Sequence, residues 1–349
     1  MIQSTPPDLR PLRDRVELLE PVVLDGVGGL EWRPMTAEDV PAITELFAEA
    51  GRLDHPTVVV AEDEVAQLLE MPTVDLALDT IVGVEPGGRI VAYGAVIAGE
   101  EHRTVVWITL DGTVHPARRR AGIGTALLAW QEARGRQLLG SSEERLPAWL
   151  AAGTEEHVTD AIALFERHGY APTRWWLELE RDLGEPIPRR PLPEGVRLEP
   201  YLDWREETRL AYNAAFEDHW GSQPATAREW DADERLESSR PELSRVLVAS
   251  DEAGRDLVVG FVIVTVSEQE WALRGGSFAY IDALGVRAEW RGRGLASALL
   301  ADAMRVYRDA GFALAVLDVD AESPTGAVGL YEGLGFRESQ RSVSLVKEL

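Results

Sequence analysis

SFAYIDALGVRAEWRGRGLASALL, residues 277–300, is the stretch from which the rest of the chain can be read. It opens on an apolar strand from Phe278 to Val286 and turns through Arg287 to Trp290. It then passes by Arg291-Gly292-Arg293-Gly294 into an alanine- and leucine-rich helix. A glycine- and arginine-rich turn feeding a helix N-terminus is an anion site. The first backbone N–H groups of the helix lack intrahelical partners, and its dipole adds partial positive charge. Gly292 and Gly294 let a ligand approach the backbone with no Cβ in the way. The ligand this suits is a pyrophosphate.

Thirty residues after Ala296 comes GAVGLYEGLGF, residues 326–336. The arrangement Arg291-x-x-Gly294-x-Ala296 behind an apolar strand, followed by this second stretch, resembles the two signatures of the GNAT superfamily of N-acyltransferases. The same text also occurs earlier in the chain. VHPARRRAGIGTALLAWQEARGRQLLG (114–140) aligns without gaps against VRAEWRGRGLASALLADAMRVYRDAGF (286–312), setting Val114 on Val286, Arg119 on Arg291 and Gly122 on Gly294. TDAIALFERHGY (159–170) matches TGAVGLYEGLGF (325–336). The chain is an internal duplication.

Between the halves, LGEPIPRRPLPEG (183–195) holds four prolines and no periodicity, which reads as a linker. The expected organisation is an arm (1–29), a degenerate GNAT domain (30–182), the linker (183–195) and a catalytic GNAT domain (196–349). Thr36 is a candidate N-cap for a helix over 37–50, and residues 61–69 also read as helical. Strands over 80–84 and 89–97 pair around Pro86-Gly87-Gly88, and 104–110 is the next strand. The second half repeats the order. A strand at 196–200 leads to a helix near 204–216 and a hairpin over 245–250 and 256–267. The central strand and its helix follow, then a strand at 314–319, a helix at 325–334 and a last strand at 341–346. This is an α+β pattern, a mixed central sheet flanked by helices, and the resemblance implies it for both halves. It is closest to the tandem, mycothiol synthase-like group, in which the C-terminal copy acetylates and the N-terminal copy is degenerate.

Composition narrows the function. The 349 residues are 45% hydrophobic and 27% charged, a soluble globular profile with room for two cores. No apolar run approaches the roughly 18–20 residues of a membrane span, and MIQSTPPDLRPLRDR is too polar for a signal peptide. With no cysteine there is no disulfide and no thiol nucleophile, which agrees with a cytoplasmic setting. Sixty acidic against 35 basic residues give a net charge of −25. That field disfavours nucleic acid and anionic membrane and favours a cationic small-molecule amine. A monomer and a homodimer both remain open. The histidines His55, His102, His115, His157 and His168 lack paired metal-ligand spacing, so no metal is expected.

The resemblance implies acetyl-CoA as acyl donor and direct transfer to an amine. Carried over, Leu284, Gly285 and Val286 contact the pantetheine through main chain. Arg291, Gly292, Arg293, Gly294, Leu295, Ala296 and Ser297 hold the phosphates, and Ser323 stands where the family usually has a cofactor-contacting asparagine. The leaving-group acid falls on Tyr331, a phenol protonated at neutral pH; the first half has Phe165 there. The family's glutamate base falls on Tyr280, a departure that opens two alternatives. Asp282 lies two residues on, on the same strand face, and the gapless alignment sets Leu110 against it. The other candidate is AFEDHWGSQPAT (215–226), whose Glu217, Asp218, His219 and Trp220 give an acidic, aromatic acceptor wall. Arg119, Arg120, Gly122 and Gly124 form a possible second cofactor site. Two further readings stand beside this one: acetylation of a cysteinyl-glucosaminyl-inositol, and a non-catalytic acyl-CoA-binding module.

Overall fold

The structure, a computed structural model, describes residues 10–251, 253–323 and 326–349. The start of the expected arm (1–9) and Thr325, where the last helix was expected to begin, lie outside the described residues. The chain forms two compact units. One holds residues up to Thr173 together with Val343–Leu349, and the other holds Arg174–Ser342. Each unit takes its closing strand from the other half of the sequence.

In the second unit, Trp176 to Asp182 pair antiparallel with Asp320 to Leu314. Leu177 and Leu179 thereby enter one core with Leu317 and Val319. Burying such a leucine stabilises by roughly 1.5–3 kcal/mol, which ties this strand to the second unit. The proline-rich stretch expected as a linker also belongs to that unit. Leu183 is fully buried, Ile187 and Leu192 pack against the same core, and Arg305 donates to the Pro188 carbonyl at 2.8 Å.

The first unit is a mixed sheet. Glu31–Arg33, Thr80–Val84, Ile90–Ala98 and Val106–Val114 are successive antiparallel neighbours, and Ala148–Glu155 joins in parallel. Helix Val40–Asp54 covers one face through Ile43 and Leu46, packed with Tyr93 and Ala95. Its entry is set by Asp39, which accepts from the Thr36 N–H at 2.8 Å and from Arg33 at 2.7 Å. Helix Ile123–Leu139 covers the other face, where Leu127 lies against Gly94.

The second unit repeats this. Val196–Pro200, Arg245–Ser250, Asp256–Thr265 and Phe278–Val286 are antiparallel neighbours, followed by Leu314–Asp320 in parallel. Helix Arg205–Ala215 lies on one face and helix Leu295–Asp309 on the other. Both units therefore have the expected α+β layout. A further helix, Ala227–Glu234, starts at a capping box in which Thr226 and Glu229 bond reciprocally at 3.1 and 2.9 Å. Among the described residues no helix is long and apolar enough to cross a membrane.

Candidate functional site

The central strand Phe278–Val286 carries a β-bulge. Ile281 faces Val264 and Ala283 faces Ile263, which leaves Asp282 as the extra residue. The bulge changes the phase of the strand. Ala279 and Ile281 enter the core beside helix Leu295–Asp309, whereas Ala283 joins Phe261, Tyr201 and Ala211 on the opposite face. Leu284 and Val286 then return to the first face. Gly285 has to be glycine, because a Cβ there would lie 2.3 Å from Phe261 Cζ. Gly285→Ala is expected to destabilise the protein by about 1–3 kcal/mol, read as a lowered urea midpoint. An unchanged midpoint would mean that the Phe261 ring swings clear.

On its other edge the strand is paired with Leu314–Asp320 only from Phe278 to Tyr280. Past that point no ladder joins the two strands, so on this edge the main chain of residues 282–286 is not paired with Leu314–Asp320. The strand then runs into the turn. Gly292 and Gly294 adopt φ of 74° and 76°, and both are exposed with Arg293. Gly294 precedes helix Leu295–Asp309, whose N-terminus no side chain caps. Leu295 is buried beneath it, while Ala296 and Ser297 are half-exposed.

Arg291 has a different task from its neighbours. Its Nε donates to the Val286 carbonyl at 3.1 Å and its Nη2 to the Ala215 carbonyl at 2.6 Å, and it grips Asp218 at 2.5 and 3.0 Å. The guanidinium thus ties the strand end to the end of helix Arg205–Ala215. Asp218, expected at the acceptor wall, is its counter-ion, and the hydrogen bond from Arg291 holds its carboxyl below the usual range. Arg293 lies over the Trp290 ring at 4.6 Å.

Asp282 is open to solvent, yet the chain around it raises its carboxyl by burial, with the charge of Asp233 adding to the effect. Both facts fit a carboxylate on the floor of a cleft. Tyr212 stands near it, its hydroxyl pushed up to about 12 by burial first and then by Asp282 and Asp233. The Tyr280 hydroxyl donates to Asp318 Oδ2 at 2.6 Å and is raised well above its ordinary value by burial, then by Asp318.

Tyr331 comes from helix Ala327–Glu332 on the opposite face of the sheet, in the core shared with Leu295 and Leu299. It is 7% exposed, with Phe336 edge-on at 5.8 Å, and burial pushes its hydroxyl up to about 12. That hydroxyl bonds no other described residue. Asp282 and Tyr331 therefore lie on opposite faces of the sheet, near the end of the ladder with Leu314–Asp320.

The rest of the expected wall is partly assembled. His219 is half-buried between Trp176 at 5.9 Å and Phe216 at 5.5 Å, and Trp220 is 6.3 Å from Trp176. Glu217 is exposed beside them, and Ser323 is half-exposed, its N–H donating to the Asp320 carbonyl at 3.0 Å. Sequence reasoning missed Trp176, Glu178 and Asp318. The available signal was the alternation of acid and apolar residues in WLELERD and LAVLDVD, which marks strands with one polar face.

The first unit repeats the scaffold without the bulge. Arg119 donates to the Val114 carbonyl at 3.1 Å and grips Asp54 at 2.8 and 2.5 Å. Gly122 precedes the helix at φ 80°, and Gly124 is half-exposed near Leu164. Arg120 takes the place of Gly292 at φ 63° and pairs with Asp160 at 3.2 Å, both side chains being exposed. Strand Val106–Val114 keeps unbroken register from Ala92↔Val114 to Ala98↔Ile108. Counted from the matched valines, Leu110 opposite Val96 corresponds to Ile281 opposite Val264. The gapless alignment of Leu110 with Asp282 is thereby corrected: Asp282 has no counterpart. Phe165, at the place of Tyr331, lies edge-on to Tyr170 at 5.2 Å.

Residues 203–336 match the acetyltransferase (GNAT) family, and residues 77–172 match an acetyltransferase (GNAT) domain. The chain is 32% identical over 334 residues to a mycothiol acetyltransferase of Frankia alni, covering 90% of this chain and 93% of that one. A mycothiol acetyltransferase of Salinispora arenicola is 39% identical over 228 residues, or 64% and 67% of the two chains. Among solved structures, a GCN5-related N-acetyltransferase from Sphaerobacter thermophilus superposes with a TM-score of 0.68 at 30% identity, covering 91% and 95%.

Proposed function

Because the chain belongs to the tandem GNAT N-acetyltransferase family of mycothiol acetyltransferase type, we propose that its second unit transfers an acetyl group from acetyl-CoA directly to a small-molecule primary amine. The observation that supports this most is the bulge at Asp282. It gives the second unit an exposed carboxylate with a raised pKa past the end of the ladder, whereas the first unit has no bulge there and its own raised carboxyl, Asp111, is half-buried.

Acetyl-CoA supplies the acyl thioester. Main-chain groups of residues 282–286 hydrogen-bond the pantetheine along the open edge, as they would an added strand. The turn from Arg291 to Ser297 presents N–H groups to the phosphates, with Arg291 holding the turn in shape. Asp282, whose carboxyl is raised by burial and so made a stronger base, accepts the ammonium proton directly or through water. A backbone amide near Gly285 donates to the carbonyl oxygen as it gains charge. A C–N bond forms, the C–S bond breaks, Tyr331 protonates the departing sulfur, and the second proton lost from the new amide nitrogen restores the phenol. The relatives' name favours an acceptor of mycothiol type, a cysteinyl-glucosaminyl-inositol, and the net charge of −25 favours a cation.

The first unit keeps the arginine clamp, the capping glycine and a strand pair whose ladder ends at Thr109↔Ala151. It is therefore read as a second acetyl-CoA site without turnover. Calorimetry on wild type should show two acetyl-CoA sites, one lost in Gly294→Glu and the other in Gly122→Glu. Acetylation of an amine panel should disappear only in Gly294→Glu. A wild type that binds no acetyl-CoA would overturn the function, and activity lost only in Gly122→Glu would move the active site to the first unit.

A further inference from the structure

Around the end of the ladder between Phe278–Val286 and Leu314–Asp320, the sheet of the second unit has one apolar and one acidic face. Leu177, Leu179, Leu317 and Val319 enter the core. By alternation Trp176, Glu178, Asp318 and Asp320 project from the other face, the one that carries Asp282. Three of the acids on this face are paired with arginine, Asp320 with Arg174 at 3.9 Å and the other two with Arg274. Arg274, with a side chain only 3% exposed, pairs with Glu178 at 2.6 Å and Glu180 at 3.0 Å. Asp318 is the next acid on this face. It is solvent-exposed, lies beside the stretch where the ladder has ended, and accepts the Tyr280 hydroxyl at 2.6 Å. Charges of Asp318 and Asp282 both act on that hydroxyl, so the two carboxylates flank one tyrosine. Farther along the same strand pair, Trp176 stands opposite Asp320 and packs against Trp220, which Arg174 covers at 5.5 Å.

We propose that Asp318 is the second carboxylate of the acceptor site: with Asp282 it holds the acceptor's ammonium group, Tyr280 is the positioning residue that fixes its orientation, and Trp176 with Trp220 takes the flat body of the acceptor. The proposal rests on the second unit being the active one. The chemistry gives a reason for two acids. Asp282 has to receive the proton, and a carboxylate that neutralises itself in doing so no longer selects a cation. Asp318 is not asked to take the proton, so it can collect the ammonium form and hold the amine as the proton leaves.

The test compares ammonium probes with neutral twins of the same shape, L-cysteinamide against 3-mercaptopropionamide and glucosamine against glucose. Binding is measured by calorimetry to the CoA-loaded full chain. Wild type should prefer at least one ammonium probe, and Asp318→Asn, which still accepts from Tyr280, should lose that preference by about tenfold or more. In turnover the loss should fall on the acceptor KM more than on kcat. Tyr280→Phe should show the same split more weakly, a pattern that general loosening of the strand would not give. Equal preference in wild type and Asp318→Asn, or none in wild type, would overturn the proposal. An Asp318-dependent preference in a protein that acetylates no amine would support the cation site and sink the acetyl-transfer reading instead.

Discussion

Replacing Tyr331 by phenylalanine is expected to lower kcat about a hundredfold, within the usual range for a lost general acid, while calorimetric affinity for acetyl-CoA stays nearly unchanged. The phenyl ring keeps the contacts with Leu334 and Phe336 in the core, so only the proton is removed. Burial pushes the Tyr331 hydroxyl up to about 12. The phenol is therefore protonated over the whole working range, and turnover should show no alkaline limb from its ionisation below that value. In the ground state this makes it a poor acid. It becomes a useful one when negative charge develops on a sulfur beside it, since a protein interior strengthens that interaction. The hydroxyl has no partner among the described residues, so its removal should leave thermal stability level or slightly higher. A variant with wild-type kcat would exclude Tyr331 from the reaction. The first half holds phenylalanine, Phe165, at the matching position.

What could be read from sequence was what is encoded locally. The turn from Arg291 to Gly294, its helix and Tyr331 each follow from a short run of residues, and the structure has them on the elements foreseen. The bulge at Asp282 was not legible. It is a mismatch between two strands, seen only when Ile263 and Val264 are set opposite, and a gapless alignment hides it by counting residues instead of partners. The role of Arg291 was read too simply for a similar reason: its counter-ion Asp218 is 73 residues away. Trp176 was assigned to the first half because it precedes the prolines. Pairing with Asp320, which depends on the unit boundary at Thr173 and not on composition, puts it in the second unit. Helix Ala227–Glu234 was passed over because AREWDADE has little apolar periodicity; its capping box carries the signal.

Asp282→Asn should combine the two consequences of a bulge that turns an acid into a confined cleft. Activity is expected to fall by about a hundredfold in kcat/KM at neutral pH, as for a lost general base. In wild type kcat/KM should rise with pH as the raised carboxyl ionises, and the variant should lack that limb. Stability should move the other way. The folded-state pKa of Asp282 lies above its unfolded value, chiefly through burial and then through Asp233. The folded state therefore binds that proton more tightly, and the stability this confers is fully present below the ordinary carboxylate range. It is lost as pH rises through the raised folded value. Above that value the wild type holds an ionised carboxylate that its surroundings and the nearby Asp233 disfavour, whereas asparagine holds none. The variant should thus melt higher than wild type above the raised folded value, with the gap closing as the solution is acidified. A variant that is inactive but also melts lower would make Asp282 a structural hydrogen-bonding group. One that is more stable yet keeps the acid limb would return the role of base to the segment around Glu217 and His219. Only loss of the limb together with a gain in stability fits a carboxylate placed for chemistry at the expense of the fold.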